Sequence, residues 1–259
     1  IVLVTGVQTC ALPIYQANNY DTESGGALSA MALMQEGYND VVNDKTIRAG
    51  GSTACVAIAR TDGSLDVANL GDSGFLQLRL NAVHYNSEPQ THAFNTPYQL
   101  AIIPRAMRMM TQAFGGTQLD DMPKDSAVSK HNLRHGDVLV FATDGVWDNL
   151  NSHDILRLVS KLMVGSDAWT HSDDGIKVTG RLSGYIQKDT SEGPDQPVRS
   201  LQSFLAMGIA SAAKAASMNR RVDGPFAREV QKHYPHEMWS GGKVDDICVV
   251  VAVVVEDGK

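Results

Sequence analysis

The run Ile247–Val255, ICVVVAVVV, is nine apolar residues long. That is far too short to cross a bilayer as a helix, and its valines favour a pleated strand. A strand apolar on successive residues is buried on both faces, so it belongs inside a sheet that is covered front and back. Val138–Ala142, VLVFA, reads the same way between Gly136-Asp137 and Asp144-Gly145. Two such strands commit the chain to a layered sheet core, and 259 residues suffice for one large domain or two small ones. Hydrophobic residues at 43% and charged residues at 20% fit a globular protein and exclude disorder through the whole chain.

Both strands carry acids at one end. Asp144 follows Val138–Ala142 directly, and Gly145 is expected to bend the backbone so that Asp148 returns to the same rim. Asp245 and Asp246 stand at the mouth of Ile247–Val255, and Asp72 lies in the kink Gly71-Asp72-Ser73-Gly74. Carboxylates near a core need a metal, an arginine or a helix N-terminus to neutralise them. Asp-Gly after a strand is equally ordinary turn chemistry, and a kink carboxylate can bond its own backbone, so each acid alone supports a ligand site and a capped turn alike. Taken together, oxygen ligands without accompanying Cys or spaced His suit Mg²⁺ or Mn²⁺ better than zinc.

Elsewhere, the spacing of Ala27, Met31, Met34, Tyr38 and Val41 predicts a helix from Ser24. Ser52–Arg60 and Leu65–Leu70 are strands joined by the hairpin signal Asp62-Gly63, and Phe75–Leu80 continues them as an antiparallel meander. Val83–Ala127, with four prolines, reads as loops and short elements; His84 and His92 there read as surface or turn residues. Ser152 is expected to cap a helix burying Ile155, Leu158, Val159 and Leu162, and Leu201–Ser217 returns to helical spacing. Gly165–Pro197, rich in Ser, Asp, Gly and Thr, reads as a mobile surface insertion without a core of its own.

The net charge of −7, without a Lys/Arg cluster, offers no electrostatic footprint for nucleic acid. Cys10, Cys55 and Cys248 form no CxxC pair, which indicates neither a disulfide framework nor a zinc site and fits a reducing, intracellular compartment. No secretory signal and no membrane span are expected.

Four motifs, in order and spacing, resemble the metal-dependent serine/threonine phosphatases of type 2C, the PPM type. They are GGSTA at Gly50–Ala54, ANLGDSG at Ala68–Gly74, ATDGVWDN at Ala142–Asn149 and GGKVDDI at Gly241–Ile247. FNTPYQL at Phe94–Leu100 and PFA at Pro225–Ala227 resemble the branch with mitochondrial members. The resemblance implies an α+β fold, a four-layer αββα sandwich of two antiparallel sheets flanked by helices, over residues 24–256. It implies hydrolysis of phosphoserine and phosphothreonine esters in protein substrates, by water activated at two Mg²⁺ or Mn²⁺ ions with a weaker third. Asp144 and Asp245 match the ligands of the first ion and carry the catalytic role. Asp72 and Asp148, with Asp144, match the third-ion site, and Asp246 is left as a neighbour. A mitochondrial address follows from the same resemblance, with the cytoplasm as the other location, and a monomer is expected.

The departure is at the front. The family's DGxGG turn, whose Asp bridges the two main ions, has no counterpart before Gly50; Ser24-Gly25-Gly26 lacks the Asp. Residues 1–23 are expected to be atypical, and Ile1–Tyr15 resembles non-native sequence joined to an N-terminally truncated domain, with a divergent native strand as the other reading. Weak or absent turnover is therefore expected of the chain as written, and a phosphatase-like binding or scaffold module is the alternative function.

Overall fold

The computed structural model describes residues 2–8, 28–116, 119–186 and 200–256. It opens with strand β1 (Val2–Gln8), helix α1 (Ala30–Asn43), and strands β2 (Gly50–Ser52), β3 (Ala54–Ala59), β4 (Ser64–Leu70), β5 (Gly74–Arg79) and β6 (Ala82–Asn86). Short strands β7 (Thr91–Ala93), β8 (Thr96–Pro97) and β9 (Leu100–Ile102) lead to α2 (Arg105–Ala113), then β10 (Ala127–Asn132) and β11 (Val138–Ala142). A single helical turn α3 (Asp144–Trp147) precedes α4 (Ser152–Gly165), the hairpin β12 (Trp169–Ser172) and β13 (Gly175–Val178), and α5 (Leu182–Ile186). Helices α6 (Leu201–Met218) and α7 (Pro225–His233) lead to β14 (Val249–Val255).

Five strands pair in the order β1-β14-β11-β5-β6 and three in the order β10-β4-β3, all antiparallel. Strand alternation sorts their side chains into layers. Val138 and Val140 of β11, with Val249, Val251 and Val253 of β14, pack beneath Ile155 and Val159 of α4 and Leu205 and Ile209 of α6. The opposite faces, Leu139, Phe75, Ala252 and Val254, meet Leu65 and Val67 of β4, which places the second sheet against the first. Ala68 and Leu70, on the far side of β4, take Ala30 and Met34 of α1. The stack is therefore helices, sheet, sheet, helix, as the resemblance implies.

Sequence readings are corrected in three respects: strand pairing, helix starts and the surface insertion. First, β4 and β5 do not form a meander: β4 pairs with β3 and β10, while β5 pairs with β11 and β6. Gly71, at φ +96°, carries the chain from one sheet to the other, and a side chain there would strike Thr53 and the Tyr98 carbonyl. Second, α1 starts at Ala30, where Ser29 caps it by accepting from the Ala32 amide at 3.1 Å and buried Asp66 accepts from the Ala30 amide at 2.9 Å; residues 24–27 of the expected helix lie outside the described residues. Asn151, not Ser152, caps α4, accepting from the amides of His153 and Asp154. Third, the Gly165–Pro197 stretch contributes to the core as far as Ile186: Ala168, Trp169, Leu182 and Ile186 are buried with α4 and α6. The Trp169 indole N–H donates to the Gly136 carbonyl at 3.2 Å, so one aromatic anchor outweighs the polar composition around it. Residues 187–197 of that stretch, and residues 1 and 9–23 of the atypical N-terminal segment, lie outside the described residues.

Among the described residues no helix is long and apolar enough to cross a membrane. His84 and His92 join no acid cluster: His92 pairs with Asp121 at 2.9 Å and stacks on Tyr98, and His84 lies beside Arg79. Burial pushes the Cys55 thiol up to about 12, which keeps it inert.

His131 on β10 packs edge-on against Phe75 and Tyr85 and shares a 2.8 Å hydrogen bond with Ser129. Burial, with a smaller contribution from His84, lowers its pKa below the ordinary 6.5. The unfolded chain then binds the proton more readily, so stability is unaffected above pH 6.5 and falls as pH drops below it. Urea titrations at pH 7.5 and 5 should show a smaller acid loss for His131→Phe than for wild type. Equal losses would contradict the assignment.

Candidate functional site

Register places the acids. Gln8, Val249, Ala142 and Gly74 lie side by side across β1, β14, β11 and β5. Asp144 leaves β11 two residues beyond this row, Asp72 enters β5 two residues before it, and Asp245 precedes β14 by four. Antiparallel neighbours exchange entrances and exits, so all three reach one end of the sheet. Asp144, Asp148 and Asp245 each offer a carboxylate oxygen, and these oxygens lie within 4.8 Å of one another.

Asp144 and Asp148 share a face because α3 is a helical turn, in which the Asp148 amide donates to the Asp144 carbonyl at 2.8 Å. The expected bend at Gly145 is thus a helix start. Glycine is needed there for a different reason: any Cβ would collide with the Asp246 carbonyl and Ile247. That close approach brings the β14 entrance onto α3. Thr143 completes the seam, its hydroxyl donating to the Asp246 carbonyl and accepting from the Cys248 amide, both at 3.1 Å.

Two residues escaped the sequence reading. Buried Asn149 accepts from the Lys243 amide at 3.0 Å and donates to the carbonyls of Lys243 at 2.8 Å and Gly145 at 2.9 Å, tying the Gly241–Ile247 loop to α3. Lys243 then sends its ammonium back between the acids, 2.6 Å from Asp148, 3.0 Å from Asp245 and 3.3 Å from Asp144. Its nitrogen also lies 4.7 Å from the centre of the Phe226 ring. Phe226 in turn lies 5.5 Å from Phe94, so the words FNTPYQL and PFA meet beside the acids.

The charges respond to this crowding. Burial raises Asp148 to about 6, with the hydrogen bond and charge of Lys243 pulling against it and Asp144 and Asp72 adding repulsion. Burial and then the charge of Asp144 raise Asp72, which the field of Asp245 also reaches, although Asp72 is not one of the three clustered acids. Burial would raise Asp245 too, but hydrogen bonds from Lys243 and the Asp246 amide outweigh it and the net shift is downward. For Lys243 burial acts to lower the pKa, and the hydrogen bonds and charges of Asp148, Asp245 and Asp144 more than reverse that. Asp246 is exposed; its amide donates to Asp245 at 2.9 Å.

The donors are oxygens only, on short rigid connections, and such a set fits a hard divalent ion. A groove of about 420 Å³ between α1 and strands β2, β3 and β9 is lined by Met34, Tyr38, Val56 and Leu100 and by no carboxylate, so it is separate from this chemistry.

No protein-family model matches the chain. The 5-azacytidine resistance protein azr1 of Schizosaccharomyces pombe is 32% identical over 87% of this chain and 63% of its own length. The protein phosphatase PTC7 homolog fig of Drosophila willistoni is 30% identical over 96% of this chain and 67% of its own length. The chain thus spans a little under two thirds of several curated relatives that it matches. The solved photosystem II phosphatase PBCP superposes with a TM-score of 0.59 over 87% of this chain and 70% of its own, at 22% identity, a likeness of fold.

Proposed function

Because the chain belongs to the PPM-type (type 2C) serine/threonine protein phosphatases, we propose that its acid rim is the metal centre of a phosphoserine/phosphothreonine phosphatase. The observation that carries this reading is the meeting of Asp144, Asp148 and Asp245 within 4.8 Å from the ends of two neighbouring strands. Asp144 and Asp245 would hold the first Mg²⁺ or Mn²⁺ and act as the catalytic carboxylates. Asp72 and Asp148, with Asp144, would hold a weaker ion. Bound ions of this type supply an activated water and stabilise charge building on phosphorus.

The chain's own residues do the positioning. The α3 turn fixes Asp144 against Asp148, Asn149 and Thr143 pin the Asp245 loop to that turn, and the β5 entrance delivers Asp72. Phosphoprotein substrates and a mitochondrial address belong to the same reading and rest on kinship.

The stretch before Gly50 contains no DGxGG turn, so the carboxylate that would bridge two main ions is missing from this sequence. Isothermal calorimetry on the purified chain should detect Mn²⁺ binding, while turnover of a phosphothreonine peptide with Mn²⁺ stays near background. Robust turnover would show that no bridging Asp is required, and absent Mn²⁺ binding would remove the metal centre.

A further inference from the structure

Three ionised carboxylates with oxygens within 4.8 Å of one another repel strongly, and a cation among them relieves that repulsion. The protein supplies one itself. We propose that the Lys243 ammonium is a built-in counter-ion, holding Asp144, Asp148 and Asp245 together until a divalent ion binds and then yielding its place, so that Lys243 sets the affinity of the centre for metal.

This inference rests on the reading of the acid rim as a metal centre. It is carried by three features. The nitrogen contacts all three acids at 2.6–3.3 Å, which is the central position rather than a flank. A hard divalent ion sharing those oxygens would sit roughly 2.0–2.2 Å from them, and a positive nitrogen cannot remain at its side without strong repulsion. The lysine nevertheless has somewhere to go. Asn149 clamps its backbone through both amide and carbonyl, so only the side chain need move. Its four-carbon stem is flexible and its side chain already reaches solvent at 16% exposure, so the ammonium can swing outward. A flexible ammonium can therefore serve as a placeholder where a fixed guanidinium would block the site.

Lys243→Met tests this in the full chain, with Mn²⁺ alone as the probe. Removing a unit charge this close to the ion should tighten Mn²⁺ binding by about tenfold or more in calorimetry. The same variant should melt at a lower temperature than wild type in excess chelator, and Mn²⁺ should raise its melting temperature by more than it raises that of wild type. Lys243→Arg keeps the charge and should keep the metal-free melting temperature near wild type without the gain in affinity. Wild-type or weaker Mn²⁺ affinity in Lys243→Met, with wild type binding normally, overturns the placeholder and leaves the metal centre standing; an unchanged metal-free melting temperature also overturns it. If neither protein binds Mn²⁺, the metal centre fails and the inference falls with it. Should Lys243→Met be unfolded without metal, refolding on Mn²⁺ addition supports the proposal and failure to refold opposes it.

Discussion

Arg79→Met is expected to destabilise the fold by about 3–5 kcal/mol, because it strands a fully buried carboxylate. Asp137, at the entrance of β11, has no exposed side-chain surface. Arg79 grips it with Nε on one oxygen and Nη2 on the other, both at 2.7 Å. The Gln77 amide at 2.8 Å and the Arg134 backbone N–H at 2.9 Å complete its shell. Those two donors survive the substitution, which favours the low end of the range, but neither carries charge. Urea denaturation should show a lower midpoint at unchanged slope. The double variant Arg79→Met, Asp137→Leu should recover part of the loss, since the penalty belongs to the unpaired charge rather than to the absent bond. A loss under about 1 kcal/mol for Arg79→Met would mean that water reaches Asp137.

Asp144→Asn is expected to weaken Mn²⁺ binding by about 100-fold or more, as one full charge is removed next to a divalent ion in a medium of effective dielectric about 20. The side chain keeps its shape, so α3 should persist. In excess chelator the variant should melt no lower than wild type, because two acids still flank Lys243 and one source of repulsion is gone. Asp246→Asn is the control: that exposed neighbour should bind Mn²⁺ like wild type. Calorimetric affinity unchanged in Asp144→Asn would take Asp144 out of the centre.

The acid rim was legible because it depends on strands the composition makes unmistakable. Val138–Ala142 and the valine run both read as buried strands, and since they pair antiparallel the acids at the exit of one and the entrance of the other meet. The partner of β5 was not legible. Its alternation is the same whether it faces β4 or β11, and the distinction lies in the left-handed backbone at Gly71, which a glycine permits without announcing. Trp169 was hidden for a related reason: a two-strand hairpin too short to show a period packs onto the core through its buried indole, with Ile176 and Val178 beside it. Lys243 stood in plain view within GGKVDDI, yet nothing local tells a solvated lysine from one folded back on acids contributed from about a hundred residues away. Asn149 offered a weaker signal, as the last residue of ATDGVWDN in a place where a turn residue needs no further explanation.

The position of β1 has a bearing on solubility. It covers the flank of β14 that β11 leaves open, pairing residue for residue from Val2 opposite Val255 to Gln8 opposite Val249. A molecule stripped of that outer strand would present seven consecutive valine and alanine residues with a free row of backbone donors and acceptors. Such an edge recruits like edges, so fragments lacking β1 should be self-associating material in which one copy's β14 zips onto another's.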